Sequence, residues 1–229
     1  METKKYNPPG LALDLCLFTI VDKQEENPKK IPEKELKFLA LKRLKEPYKG
    51  MYTLTGCAAV EGEKTAETLK KKLKEKSGIN TDEIYMEIGG VFDDPKRDKR
   101  GHVVSITYLG LCRADKIELK GDAEWINVDY ALEKFKDKMA FDHYEILLKI
   151  YKLFIERVWK DAIILNTLPE LFTQYQLQLS YDAVELAKIN GTDQNFRRKI
   201  AAKEWIEKTD IKEESVISRN KAFYYKRIK

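Results

Sequence analysis

Residues 10–21, "GLALDLCLFTIV", are the most apolar run in the chain, and they limit what it can become. The run is too short for the roughly 20 residues that cross a bilayer, and it carries Asp14 inside it. A polar N-terminus before it and the lack of a small-residue cleavage site argue against a signal peptide. Its strand-forming residues predict a buried β-strand instead. With 229 residues, 43% of them hydrophobic, the chain has material for two folded domains rather than a disordered tail.

What surrounds that strand sets the fold class. A charged, proline-punctuated loop over 22–35 leads to a second strand over 36–44, and "KEPYKGMYTLTGCAAV" mixes turn residues with another short apolar run. Ala66, Leu69 and Leu73 recur at spacings of three and four, so 65–77 is a helix, with Gly78 as its stop. "IYMEIGGVFDD" and "HVVSITYLGLC" are strands flanking the polar loop "DDPKRDKRG", and "AEWINVDYALEKF" adds a strand and a turn. The helical period of "HYEILLKIYKLFI" closes this part, with a linker expected near 159–167. Strands on both sides of helices make an α+β mixed-sheet domain over 1–159 and leave a second domain over 160–229.

The second domain is basic. Segment 191–229 holds 11 Lys and Arg against 6 Asp and Glu, out of 43 and 38 in the whole chain, so the other 190 residues are balanced and the net charge of +5 lies here. A basic end on a neutral chain points to a polyanionic partner. Thr173 can cap a helix "QYQLQLSYDAVELAKI", Asp193 a second, "QNFRRKIAAKEW", and a two-stranded hairpin ends in "AFYYKRI". Two helices followed by a hairpin describe a winged helix-turn-helix, whose second helix enters the major groove of double-stranded DNA. That helix opens with Gln194, Asn195, Arg197, Arg198 and Lys199, with Lys203 further along, side chains suited to adenine, guanine and phosphate. Phe196, Ile200 and Trp205 are spaced to anchor its opposite face, and Ser218, Arg219, Asn220 and Lys221 lie where a wing meets phosphates.

Metal chemistry finds little support. Cys16, Cys57 and Cys112 are far apart, which fits a reducing cytoplasm, and His102 and His143 have no Cys or His at metal-ligand spacing. No cofactor and no metal are expected.

"TGCAAVEGEKTAETLKKKLKEKSGI" resembles the Nudix box, G-x5-E-x7-R-E-U-x-E-E-x-G-U. Aligned on Gly78, Cys57 stands at the first glycine and Glu63 at the first glutamate. Lys71 stands at the arginine, Lys72 at the next glutamate, and Glu75 and Lys76 at the acidic pair. Positions 72, 75 and 76 share one helical face, where the family's carboxylates hold Mg²⁺ against a diphosphate. Two of the three are lysine here, and an ammonium has no lone pair for a cation. "DDPKRDKRGHVVSITYLGL", "AFDH", "LNTLPELFT" and "NFRRKIA" are similar to segments of Nudix-related bacterial transcriptional regulators. In these a Nudix-like effector domain precedes a C-terminal winged helix; the best known repress NAD-biosynthesis genes. The resemblance implies a cytoplasmic homodimeric regulator that binds operator DNA and a small effector, an ADP-ribose-like nucleotide or a sugar. It implies effector contacts at Arg97, Asp98, Arg100 and His102, which match the family's R-D-x-R-G-[RH] run, and a degenerate box without catalysis. Arg43 on the adjoining strand is a further candidate, and the ammonium groups of Lys72 and Lys76 can take over the metal's charge toward an anionic ligand. The alternative is an active Mg-dependent pyrophosphatase that recruits Glu61, Glu63 or Glu67.

Overall fold

The computed structural model describes residues 7–27, 30–77, 81–184, 193–213 and 221–228, the side chains of 76–77 and 193–195 excepted. The apolar run becomes the long strand β1 (Gly10–Asp22) at the centre of a seven-stranded mixed sheet. It pairs antiparallel with β2 (Lys34–Lys42) and β4 (Thr55–Ala58), and parallel with β6 (Val103–Leu111). The short β3 (Tyr52–Thr53) and β7 (Ala123–Asn127) flank β2, and β5 (Tyr85–Phe92) forms the far edge beside β6.

Because side chains alternate along a strand, β1 feeds two cores. Leu13, Leu15 and Leu17 pack with Leu69 and Leu73 of α1 (Thr65–Ser77). Cys16, Phe18 and Ile20 face α3 (His143–Val158), where the Phe18 and Phe154 rings stack at 5.6 Å. Each such side chain buried contributes roughly 1.5–3 kcal/mol, and both helices are thereby fixed to opposite faces of one strand. Gly89 eases the close approach of α3: a Cβ there would lie 2.6 Å from Ile150 Cδ1, and that side-chain tip would have to shift.

Two expectations are corrected and a third is extended. The turn after β7 is a helix, α2 (Val128–Lys134), because Asn127 Oδ1 accepts the Tyr130 N–H and caps it. The linker near 159–167 is no exposed tether: Ala162–Thr167 forms a 3-10 turn burying Ile163, Ile164 and Leu165. The terminal hairpin is a three-stranded sheet, in which β10 (Phe223–Arg227) lies between β9 (Ile206–Lys212) and β8 (Phe172–Thr173). With α4 (Gln174–Val184) and α5 (Asp193–Ala201), this sheet completes a winged helix. Thr173 caps α4 as its sequence suggests: Gln176 N–H donates to Thr173 Oγ1 at 3.1 Å, and Gln176 Oε1 accepts the Thr173 N–H at 2.9 Å. One core cluster runs without interruption from Phe18 and Phe38 through α3 to Tyr181, Phe196 and Ile200.

Candidate functional site

The box helix α1 presents its polar face to solvent, and its carboxylates are paired with lysines. Lys72 Nζ lies 2.6 Å from Glu75 Oε2, and Lys71 Nζ lies 3.3 Å from Glu63 Oε1. Thr68 Oγ1 donates to Glu63 Oε2 at 2.8 Å. The Thr68 hydroxyl, then Lys71, hold the Glu63 carboxyl below the usual range, and Lys72 does the same for Glu75. Each of these box carboxylates is thus already paired with a lysine. Among the described residues no group of three or more His, Cys, Asp or Glu is placed to hold a metal ion. The donor set at 63, 71, 72 and 75 does not fit a divalent cation, since two of its four members are ammonium groups. The Lys76 side chain and Gly78 lie outside the described residues.

A second cluster lies at the N-terminus of α3, on the sheet face opposite α1. Asp14 is its floor, 6% exposed, and Ser105 Oγ donates to it at 2.5 Å. Gly56, beside Asp14 on β4, leaves the room: a Cβ there would come within 2.4 Å of Asp14 Oδ1. The Arg97 guanidinium turns inward with its side chain 4% exposed. It makes a bidentate pair with Asp142 at 2.8 and 2.7 Å and reaches within 3.6 Å of Asp14. His143 is buried between them. Its Nδ1 accepts the Leu54 N–H at 2.9 Å, so in the neutral ring the proton is on Nε2, which faces Asp14 at 3.8 Å. Burial draws the His143 pKa down; Asp14 and Asp142 oppose this, while Arg97 and Arg43 add to it.

Above this buried network sits an exposed cationic surface. The guanidiniums of Arg43 and Arg100 lie over the Phe141 ring at 4.8 and 5.2 Å from its centroid. Tyr48 meets that ring edge-on at 4.9 Å, and Lys99 Nζ lies 4.9 Å from the Tyr48 centroid. Asp98, itself buried, holds Arg100 in place with contacts of 2.6 and 3.0 Å. Arg43 is fixed by a 2.8 Å bond from Nε to the Pro47 carbonyl. Phe141 and Tyr48 both carry positive φ, 57° and 67°, a conformation costly for non-glycine residues and concentrated at functional sites. Burial, then the charge of Arg100, lowers the Arg43 pKa, with Asp98 and Glu46 opposing, whereas the bond to Asp98 raises that of Arg100. An anion between them relieves that repulsion.

The residues singled out from sequence thus divide. Arg43 and Arg100 converge on one ring, whereas Arg97 and Asp98 face inward and hold the loop. His102 is exposed at the start of β6, where its carbonyl accepts the Gly10 N–H. Lys72 lies on α1, across the sheet. Sequence reasoning missed Tyr48, Lys99 and Phe141, whose clustering depends on contacts between loops distant in sequence.

On the winged helix, Phe196 and Ile200 are buried at 2% and 1% exposure, which turns Arg197, Arg198, Lys199 and Lys203 outward. Lys199 Nζ lies 5.1 Å from the Trp159 ring and Lys203 Nζ 5.2 Å from Trp205. Two further lysines, Lys208 and Lys212 of β9, flank Phe223 at 3.6 and 4.9 Å and extend the basic surface. Lys221 is exposed. The side chains of Gln194 and Asn195, and the segment with Ser218, Arg219 and Asn220, lie outside the described residues.

The class of the chain is set by its architecture, a Nudix-like mixed sheet followed by a winged helix. Residues 164–226 match the NrtR DNA-binding winged helix domain. The chain is 26% identical over 216 residues to the ADPR-responsive transcriptional repressor NtrR of Acinetobacter baylyi, covering 91% of this chain and 79% of that protein. It is also 34% identical over 119 residues to an ADP-ribose pyrophosphatase of Methanocaldococcus jannaschii, covering 51% of this chain and 67% of that one. The fold is that of Shewanella oneidensis NrtR, with a TM-score of 0.76 at 22% identity over 95% of this chain and 94% of the other. No helix among the described residues is long and apolar enough to cross a membrane.

Proposed function

We propose that this protein is a DNA-binding transcriptional regulator whose Nudix-like domain binds an ADP-ribose-like nucleotide without hydrolysing it. The carrying observation is the crowding of Arg43 and Arg100 around Phe141, with no comparable metal-ligand set among the described residues of α1. Two guanidiniums recognise a diphosphate by charge-assisted, bidentate hydrogen bonds, and the Tyr48 and Phe141 rings offer faces to a base or sugar. The Acinetobacter relative is described as ADPR-responsive, which favours the nucleotide over a sugar. Lysine–carboxylate pairs on α1 leave the box neutralised without a cation, so ligand binding is metal-independent in this reading.

Arg197, Arg198 and Lys199 form the DNA-facing edge of α5, joined by Lys203 just after it and by Lys221 at the wing. In this reading the protein acts in the cytoplasm as a homodimer on a two-fold operator, with the sensing domain at 1–159 and the winged helix at 160–229. Binding to the DNA upstream of the protein's own gene tests the reading. Arg197→Ala or Arg198→Ala is expected to weaken it by roughly 1–3 kcal/mol if that side chain pairs with a base. Binding absent even at low salt contradicts the DNA role.

A second reading rests on the Methanocaldococcus relative, named as a pyrophosphatase. In it Glu75 joins Glu61, Glu63 or Glu67 to support Mg²⁺-dependent cleavage of ADP-ribose. Turnover that disappears in Glu75→Gln would establish it.

A further inference from the structure

We infer that α3 couples the cationic cluster to the winged helix, and that Arg97 and Asp142 are its positioning residues. The inference rests on the sensing role proposed above and adds the route by which it reaches DNA. Phe141 and Asp142 immediately precede α3, and His143 is its first residue. The ring under Arg43 and Arg100 and the carboxylate clamped by Arg97 are therefore the first links of one helix. Sixteen residues of α-helix span about 24 Å. From its middle to its far end the same helix is bonded into the DNA-binding domain. Tyr151 Oη donates to the Val184 carbonyl at 2.8 Å, and Tyr181 Oη donates to the Val158 carbonyl at 3.1 Å. Trp159, the residue after α3, contacts the Tyr181 ring at 4.4 Å and Phe196 of α5 at 6.4 Å. Phe196 is the inward neighbour of Arg197 and Arg198 on the DNA-facing helix.

The Arg97–Asp142 pair at the first joint is bidentate, and the Tyr151 and Tyr181 bonds at the later joints are buried and directional. A displacement of residues 141–143 therefore moves the helix as a unit instead of dissipating in side-chain rotation. An anion that draws Arg43 and Arg100 away from Phe141 acts on the first joint. DNA binding, which orients Arg197 and Arg198, acts on the last. Two ligands that bias the same element in opposite senses weaken each other's binding by one common factor. Arg97 touches neither. Its bidentate pair with Asp142 sets where the helix starts.

Asp142→Asn, which keeps the side-chain shape and loses the charge pair, tests the coupling in the ligand-free protein by hydrogen exchange. Exchange is expected to accelerate about fivefold or more within 174–184 and 193–201, beyond the local change around 141–146. Winged-helix exchange equal to wild type overturns the coupling, whatever the ligand proves to be. The Tyr151→Phe, Tyr181→Phe double variant approaches from the other end and serves if Asp142→Asn does not fold. It is expected to accelerate exchange in 93–101 and 141–146, and unchanged rates there overturn the inference equally. In the same double variant ADP-ribose affinity stays within about twofold, while its effect on DNA affinity shrinks at least about fivefold. An undiminished effect again overturns it. Wild-type protein that takes up no ADP-ribose refutes the sensing role separately, with the exchange result still deciding the coupling.

Discussion

His143 shows how much a single buried side chain constrains here. Its ring is neutral in the fold because burial disfavours the imidazolium, even with Asp14 and Asp142 nearby. The unfolded chain takes up that proton near pH 6.5, and the folded chain only at lower pH. In that window the unfolded state binds more protons, so stability rises with pH and is lost as pH falls below about 6.5, by at most about 1.4 kcal/mol per pH unit. His143→Asn keeps an acceptor for the Leu54 N–H and removes the titration. Its thermal midpoint is expected to fall less than that of wild type between pH 7 and pH 5.5, and parallel slopes would assign the loss to other groups. Arg43 and Arg100 matter differently, since they are held by Pro47 and Asp98 with their faces over Phe141. Replacing either with Ala is expected to weaken ADP-ribose binding about tenfold or more, as the loss of a charge-assisted hydrogen bond costs about 1.5–3 kcal/mol. Calorimetry on variants with wild-type circular dichroism measures this; unchanged affinity in both removes the pair from the site.

At the scale of elements, local chemistry and long-range packing contribute unequally. The reciprocal Thr173–Gln176 cap is a purely local device, so Thr173→Ala is expected to lower stability by about 1 kcal/mol. Urea denaturation reads that loss as a lower midpoint at constant slope, and an unchanged midpoint would make the cap redundant. Features of this local kind are legible in the order of residues alone: β1 in its apolar run, α1 and α3 in their period, α5 in its basic run between Phe196 and Ile200. The 3-10 turn at 162–167 is not, because its burial depends on α3 and the winged helix meeting over Ile163 and Ile164. β8 is hidden for the same reason, being two residues long and defined only by its pairing with β10. The site is half legible. Arg43 and Arg100 stand out as charges in a sequence, but the inward turn of Arg97 toward Asp142 and the convergence on Phe141 are tertiary facts.

On the scale of the molecule, one continuous core joins a sheet domain with a cationic cluster to a winged helix with a basic face. That continuity distinguishes the chain from two modules on a flexible tether, in which occupancy of one site is silent at the other. Fluorescence anisotropy of labelled upstream DNA, titrated with the full chain in chelator with and without ADP-ribose, tests the central claim most directly. The account predicts that ADP-ribose, recovered intact, weakens DNA binding at least about fivefold with no divalent cation present. DNA affinity indifferent to ADP-ribose, or changed only when Mg²⁺ is supplied and the nucleotide is consumed, would contradict it.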